Sequence, residues 1–262
     1  PIGGIHAQLI EKHSGKIISP YYAMGFNIGI FIGGILAGLI LGNAMNPAFV
    51  FSILFLTSIF VAIVIYINGL PNDLDFKGQG EKIKIPERSV LIFGFLLFVI
   101  FGSNGIIIDW SALWFTKELN APLYLASLGL IFLSCGGIFA NLFSNQLINL
   151  FSEKIVGCYF VIIGSIILFT SIIIGNFYFI LITFLIYGFL TANLVPIIIR
   201  QAVKHSSESI PTTVTNLITI GFSALLFAPA IIGFIAETYS LTINMYALCL
   251  SLIHISEPTR PS

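Results

Sequence analysis

Charge is what this sequence has least of. Asp, Glu, Lys and Arg together make up 8% of its 262 residues, and none of them occurs between Lys16 and Asp73 or between Lys154 and Arg200. Helices and strands of a soluble domain need a polar face for water, so runs of this length exclude one. They suit segments of about 20 apolar residues that cross a hydrocarbon core of roughly 30 Å. Cysteine is also scarce. Cys135, Cys158 and Cys249 all lie in apolar stretches with no CxxC or Cys/His spacing, which points away from a disulfide framework and from a metal site. No HExxH, GxSxG, Walker A or GxGxxG element is present in context, and His6, His13 and His205 fall in loops. The chain therefore carries no visible catalytic constellation and calls for no cofactor. With a formal net charge of +0 and no basic run, nothing suggests a nucleic-acid partner.

What is present is hydrophobic: 57% of the residues, including 25 Phe, with a mean hydropathy of +1.04. Apolar stretches long enough to span a bilayer run over 18–42, 47–68, 89–115, 122–144, 155–174, 177–199 and 211–236, and an eighth begins near Leu241. The expected fold is an all-α polytopic transmembrane bundle of about eight helices whose partner is the lipid bilayer. Connections such as 43–46 and 175–176 are short and make sequential helices antiparallel. The polar connector from Leu70 to Arg88, with Pro71, Pro86, Gly78 and Gly80, divides two spans in 1–69 from six in 89–249.

Orientation follows from Lys and Arg, which are retained in cytoplasmic loops. If sides alternate at each span, Lys12, Lys16, Lys77, Lys82, Lys84, Arg88, Lys154, Arg200 and Lys204 share one side and Lys117 stands alone on the other. The N-terminal segment, the connector and the later basic loops are expected in the cytoplasm of a bacterial inner membrane. Trp110 and Trp114 then fall at the outer end of the third span, as interfacial anchors or as aromatics packed between helices.

Small and polar residues within the spans supply the candidate functional positions. Gly25, Gly29, Gly33 and Ala37 repeat every four residues on the first span, with Gly34, Gly38 and Gly42 beside them; Gly136, Ala140 and Ser144 repeat likewise on the fourth. Such faces permit close helix packing, static or sliding. Asn27, Asn104, Asn193 and Asn216 lie at depth, with Asn141 near a span end. Their amides suit either a cavity for a neutral polar solute or hydrogen bonds between helices. Asn27, Asn104 and Asn193 are the substrate-binding candidates. Asp109 and Trp110 are the candidate outer-gate pair, closing through a helix loosened at Gly102 and Gly105, with a static, tilted helix as the alternative.

The order of spans resembles helices five to twelve of the major facilitator superfamily, twelve helices in two halves joined by a long cytoplasmic loop. Gly105-Ile-Ile-Ile-Asp109-Trp-Ser-Ala-Leu113, Ala192-Asn-Leu-Val-Pro196 and Leu225-Leu-Phe-Ala-Pro229-Ala-Ile-Ile-Gly-Phe234 are similar to segments of a bacterial branch that includes fucose-permease-like and related sugar- or drug-type transporters. The resemblance implies secondary transport of a small solute by alternating access, with a coupling proton as a possible second partner. Asn104 stands where the branch often has a carboxylate, so proton coupling does not carry over to that position. The charged loop motif after helix eight is represented by Ala140-Asn-Leu-Phe-Ser144-Asn-Gln146, so any clamp there is expected to use neutral hydrogen bonds.

The chain begins at Pro1, and Leu250-Ser-Leu-Ile-His-Ile-Ser-Glu-Pro-Thr-Arg260 resembles a translated frame of sequencing-adaptor DNA. Residues 250–262 are accordingly expected to be a non-native tail on an internal fragment whose first four helices lie upstream. Two other function classes stay open: a polytopic membrane enzyme acting on lipid or lipid-linked substrate, and a nontransporting scaffold or sensor.

Overall fold

A computed structural model describes residues 2–43, 46–68 and 86–256, and every regular element among them is helical. In chain order these are α1 (Ile2–Ser14), α2 (Ser19–Gly42), α3 (Pro47–Asn68), α4 (Arg88–Lys117), α5 (Leu128–Leu142), α6 (Ser144–Lys154), α7 (Phe160–Ile174), α8 (Phe177–Thr191), α9 (Leu194–His205), α10 (Ile210–Thr238) and α11 (Leu241–Ser256). A 3₁₀ turn at Leu123–Leu125 precedes α5, and a π-helical segment, Ile155–Tyr159, joins α6 to α7. Six helical stretches are long and apolar enough to cross a membrane, and shorter apolar helices over Phe51–Val64 and Leu241–His254 occupy the second and eighth expected spans. The polar connector lies almost wholly outside the described residues.

Local sequence explains where the helices stop. Gly175 ends α7 with φ +68 and its N–H on Ser171 O, a left-handed cap that suits a residue without Cβ. Asn176 then starts α8 by accepting a hydrogen bond from Phe179 N at 3.0 Å, filling one of the helix's orphan donors. One interruption falls inside an expected span: the break between α8 and α9 at Ala192-Asn193. Near the end of α6, between two expected spans, Ser152 has φ 69 and ψ 157. By contrast, α4 runs unbroken through Gly102 and Gly105. The loosening expected there is absent, because Gly102 is supported by α10: a Cβ on it would lie 3.8 Å from those of Ala224 and Ala228.

Packing places α4 along α10, α5 along α8 and α2 along α5, while α7, α8, α11 and α4 surround a core of Leu97, Phe115, Leu168, Phe184, Tyr187 and Leu248. Glycine sets the closest of these crossings. A Cβ on Gly136 would sit 2.8 Å from Phe189 N and closer still to Leu185 O; one on Gly188 would collide with Leu133 O and lie 2.9 Å from Leu133 C. The two glycines thus bring the backbones of α5 and α8 together.

The small-residue face of α2 differs from expectation. A Cβ on Gly25, Gly29 or Gly33 would meet nothing within 4 Å, whereas one on Gly34 would press on Ile131 at 2.9 Å and one on Gly38 on Ser127 Oγ at 2.7 Å. Both series have four-residue spacing, and neighbouring positions are rotated about 100° around the helix. Spacing alone could not decide which stripe α5 would cover. Within the described residues, Gly25, Gly29 and Gly33 face outward. So does α3, with Phe51 70%, Phe55 65% and Tyr66 90% exposed, apolar surface suited to lipid or further helices. The C-terminal helix continues past Cys249 through Ser256, burying Leu252 and setting Ser251 Oγ 2.9 Å from Ser103 Oγ.

Candidate functional site

The sharpest polar arrangement lies at the basic end of the bundle, where α1, α6 and α9 meet. Apolar residues Leu194–Ile199 bury the first half of α9, and Arg200 follows directly on them within the same helix, only 7% exposed. A guanidinium at that depth needs acceptors. Glu153 approaches Arg200 Nη1 at 2.5 Å and Glu11 approaches Arg200 Nε at 3.3 Å, from a position 189 residues earlier in the chain. One turn on, Lys204 Nζ lies 3.6 Å from Glu153 Oε2, to which Gln201 Nε2 also donates. Two carboxylates and two cations make the cluster neutral overall.

Each member is positioned by its own element. Positive φ at Ser152 is costly for a residue with a Cβ, of order 1–3 kcal/mol, and it turns the chain immediately before Glu153. The π segment that follows is a form common at functional sites. Glu11 is held by the start of α2: its Oε1 accepts from Ile18 N at 2.7 Å and Ser19 N at 2.6 Å. Burial pushes its carboxyl pKa up, but hydrogen bonds from Ser19 and Ile18 and the charge of Arg200 outweigh that and leave it below the ordinary 4.5.

The loop motif itself lacks charge, as read from the sequence, but ion pairs are present nearby through Glu153, seven residues beyond Gln146. A second polar seam lies nearby: Glu208 accepts from Glu87 N at 3.0 Å and from Asn216 Nδ2 at 3.1 Å, while Glu87 accepts from Ser207 N at 3.1 Å and from Ser207 Oγ. It ties the start of α4 to that of α10, with Asn216 bonded locally to the residue before its own helix's cap.

Of the substrate-binding candidates, two reach α5. Asn193 is buried and donates from Nδ2 to Ala140 O at 3.1 Å, and Asn27 lies against Gly137, with Nδ2 on Ala23 O at 3.3 Å. Asn104 is half-buried on α4. Asn193 stands about two turns, or roughly 10 Å, from Arg200, so a layer of amides overlies the ion cluster. Asn141 belongs to it, fully buried and with neither amide atom partnered among the described residues.

At the other end, Asp109 is exposed while Trp110 turns its indole toward Gly233 of α10. Neighbours in sequence, they occupy different settings. Trp114 is 1% exposed and donates from Nε1 to Thr242 Oγ1 at 2.8 Å; Glu118 accepts from Thr242 Oγ1 and from the N–H groups of Leu241 and Thr242. Trp114 is thus packed between helices, not at an interface with lipid, and Glu118 caps α11. Thr242→Val should cost about 1 kcal/mol by orphaning the buried indole N–H. Unfolding monitored through tryptophan fluorescence checks this, and an unchanged midpoint would show that the latch contributes nothing.

Sequence reasoning missed Glu11 and Glu153 and used Arg200 and Lys204 only as topology markers. The available signal was Arg200 directly after an unbroken apolar run, with Lys204 at helical spacing. No sequence pattern linked it to Glu11.

Comparison with known proteins agrees with this architecture. The family model described as Major Facilitator Superfamily matches residues 7–229. An uncharacterized MFS-type transporter of Yersinia pestis is 28% identical over 98% of this chain and 66% of its own length. Membrane protein MosC of Rhizobium meliloti is 28% identical over 65% of the chain and 43% of its own length. The chain spans about two thirds and less than half of these relatives, respectively. No solved structure gives a significant match. With a matching family model over most of its length and the apolar helices to fit it, the chain belongs to the major facilitator superfamily, the membrane transporters.

Proposed function

We propose that the chain forms the larger part of a secondary transporter that moves a small polar solute by alternating access, and that the ion cluster holds its cytoplasmic side closed. The observation that carries this reading is the meeting of Arg200 with Glu11 and Glu153, which joins a helix before the connector to two helices after it. Residues 1–69 and 89–249 are the parts that rock against one another. Breaking the cluster frees them on one side, while the contact of α2 with α5 serves as the pivot. A two-state element that ligand binding can bias is what such transport requires.

The basic end is the cytoplasmic one, supported by the asymmetric Lys and Arg count, and the membrane is a bacterial inner membrane. Asn27, Asn104 and Asn193 contribute amides to the solute pathway, and a neutral solute of the sugar type suits amide-lined walls. Trp110 and Asp109 border its outer mouth. Topology is checked by tags: Ser206 should lie inside and Asn120 outside, and Asn120 found inside would overturn the orientation. A tag at Gly80, in the connector, is likewise expected inside; that position lies outside the described residues.

Transport is tested by uptake of a panel of radiolabelled neutral sugars and polyols into cells making the full-length protein. At least one solute should accumulate above cells making Gly136→Leu. Turnover of a lipid-linked substrate without accumulation of any solute would favour a membrane enzyme instead.

A further inference from the structure

A cavity of about 410 Å³ opens at the basic end, between the α1–α2 turn and α6; Gly15–Ile18 and Tyr21 line one side, Asn145 and Asn149 the other. Nothing in the transport reading uses it. Gly15, with φ +67, turns the chain so that Lys16 stands exposed at the rim. The wall is fixed from behind, because Glu11 takes the N–H groups of Ile18 and Ser19. Asn145 and Asn149 are one helical turn apart on α6 and therefore share a face. Neither carboxamide has a hydrogen-bond partner among the described residues, and Lys16 has no ion pair there. Glu11, the carboxylate behind the wall, is already engaged by Arg200.

The cleft thus offers one ammonium and two carboxamides with no uncommitted carboxylate. That donor set suits a compact anion with several oxygen acceptors. Its depth narrows the choice further. Lys16 lies three residues before the apolar span Ser19–Gly42 begins, and Tyr21, 42% exposed and within that span, lines the cleft together with Ile17 and Ile18. A phosphate attached to acyl chains meets both surfaces; a free ion meets only one. We propose that this cleft binds the phosphate of an anionic membrane phospholipid, with Lys16 as the counter-charge and Asn145 and Asn149 as donors. Since its walls belong to the same elements that the ion cluster joins, a bound headgroup bridges them. That consequence rests on the transport reading, but binding itself does not.

The full-length protein is purified in neutral detergent, and lipid retention is followed by native mass spectrometry with phosphatidylglycerol or with a diacylglycerol of the same acyl chains. Phosphatidylglycerol should remain bound and the diacylglycerol should not. Lys16→Gln, at an exposed position, should weaken retention about tenfold, in keeping with loss of a charged hydrogen-bonding group. Asn149→Leu should weaken it too, and Lys117→Gln at the opposite end should leave it unchanged. Retention unaffected in both Lys16→Gln and Asn149→Leu, or equal for the diacylglycerol, would overturn the site. Displacement of the lipid by millimolar inorganic phosphate would overturn the lipid as its source and assign the cleft to a soluble anion.

Discussion

Replacing Arg200 with Gln should destabilise the folded bundle by about 3–5 kcal/mol, the usual cost of removing one partner from a buried ion pair and leaving the others uncompensated. The side chains of Arg200 and Glu11 are 9% and 10% exposed, and Glu153 is 19% exposed, so water can do little to replace the lost guanidinium. Lys204→Gln should cost less than 1 kcal/mol, because Lys204 is 55% exposed and its contact with Glu153 is screened. Thermal unfolding in detergent compares the two, and equal losses would mean that burial of Arg200 has no special weight. The same cluster has a pH signature. Since the pKa of Glu11 is lowered in the fold, its contribution is complete above the ordinary value of 4.5 and is lost as pH falls through the depressed one. Arg200→Gln removes one of the influences holding that pKa down, so the acid loss should move to higher pH.

The second large effect is expected at the α5–α8 crossing. Gly136→Ala and Gly188→Ala each put a methyl group into backbone atoms of the facing helix, which cannot move aside as a side chain can. Overpacking of this kind costs typically 1–3 kcal/mol and more when the obstacle is rigid, so both variants should show sharply reduced folded yield. Gly29→Ala, with nothing within 4 Å of the added Cβ, should be neutral or gain up to about 1 kcal/mol from helix propensity. Fluorescence size-exclusion chromatography of the variants reads the contrast. If Gly29→Ala failed and Gly136→Ala folded normally, the helix packing described above would be wrong.

The contrast between Gly29 and Gly34 shows what the sequence could and could not convey. Hydropathy is a sum over neighbours along the chain, so the long apolar helices were legible, and short hairpins such as Gly175-Asn176 carried their own caps. Which of two equally spaced glycine stripes met another helix depended on the rotation of α2 against α5, a tertiary quantity with no local signal. Breaks were harder still: Gly102 and Gly105 lowered helix propensity, yet α4 stayed continuous because α10 supports it, whereas Ser152 adopts positive φ with no Gly or Asn there to announce it. Candidate polar residues were legible one at a time. Asn193 and Asn27 were visible as costly groups in a span, but their contacts with α5 come from packing. Glu11, Glu153 and Arg200 looked like ordinary loop charges until the fold drew them together.

Closure by the ion cluster is tested most directly by a distance across the seam that it holds. Spin labels at Lys12→Cys on α1 and Leu150→Cys on α6, both exposed in the structure, can be placed in full-length protein whose Cys135, Cys158 and Cys249 are replaced by Ala. Double electron–electron resonance in lipid nanodiscs should then give a dominant short distance in the otherwise unmodified protein. With Arg200→Gln the population should shift to a longer one. A single distribution, identical with and without Arg200, would contradict a cytoplasmic closure built on Glu11, Glu153 and Arg200.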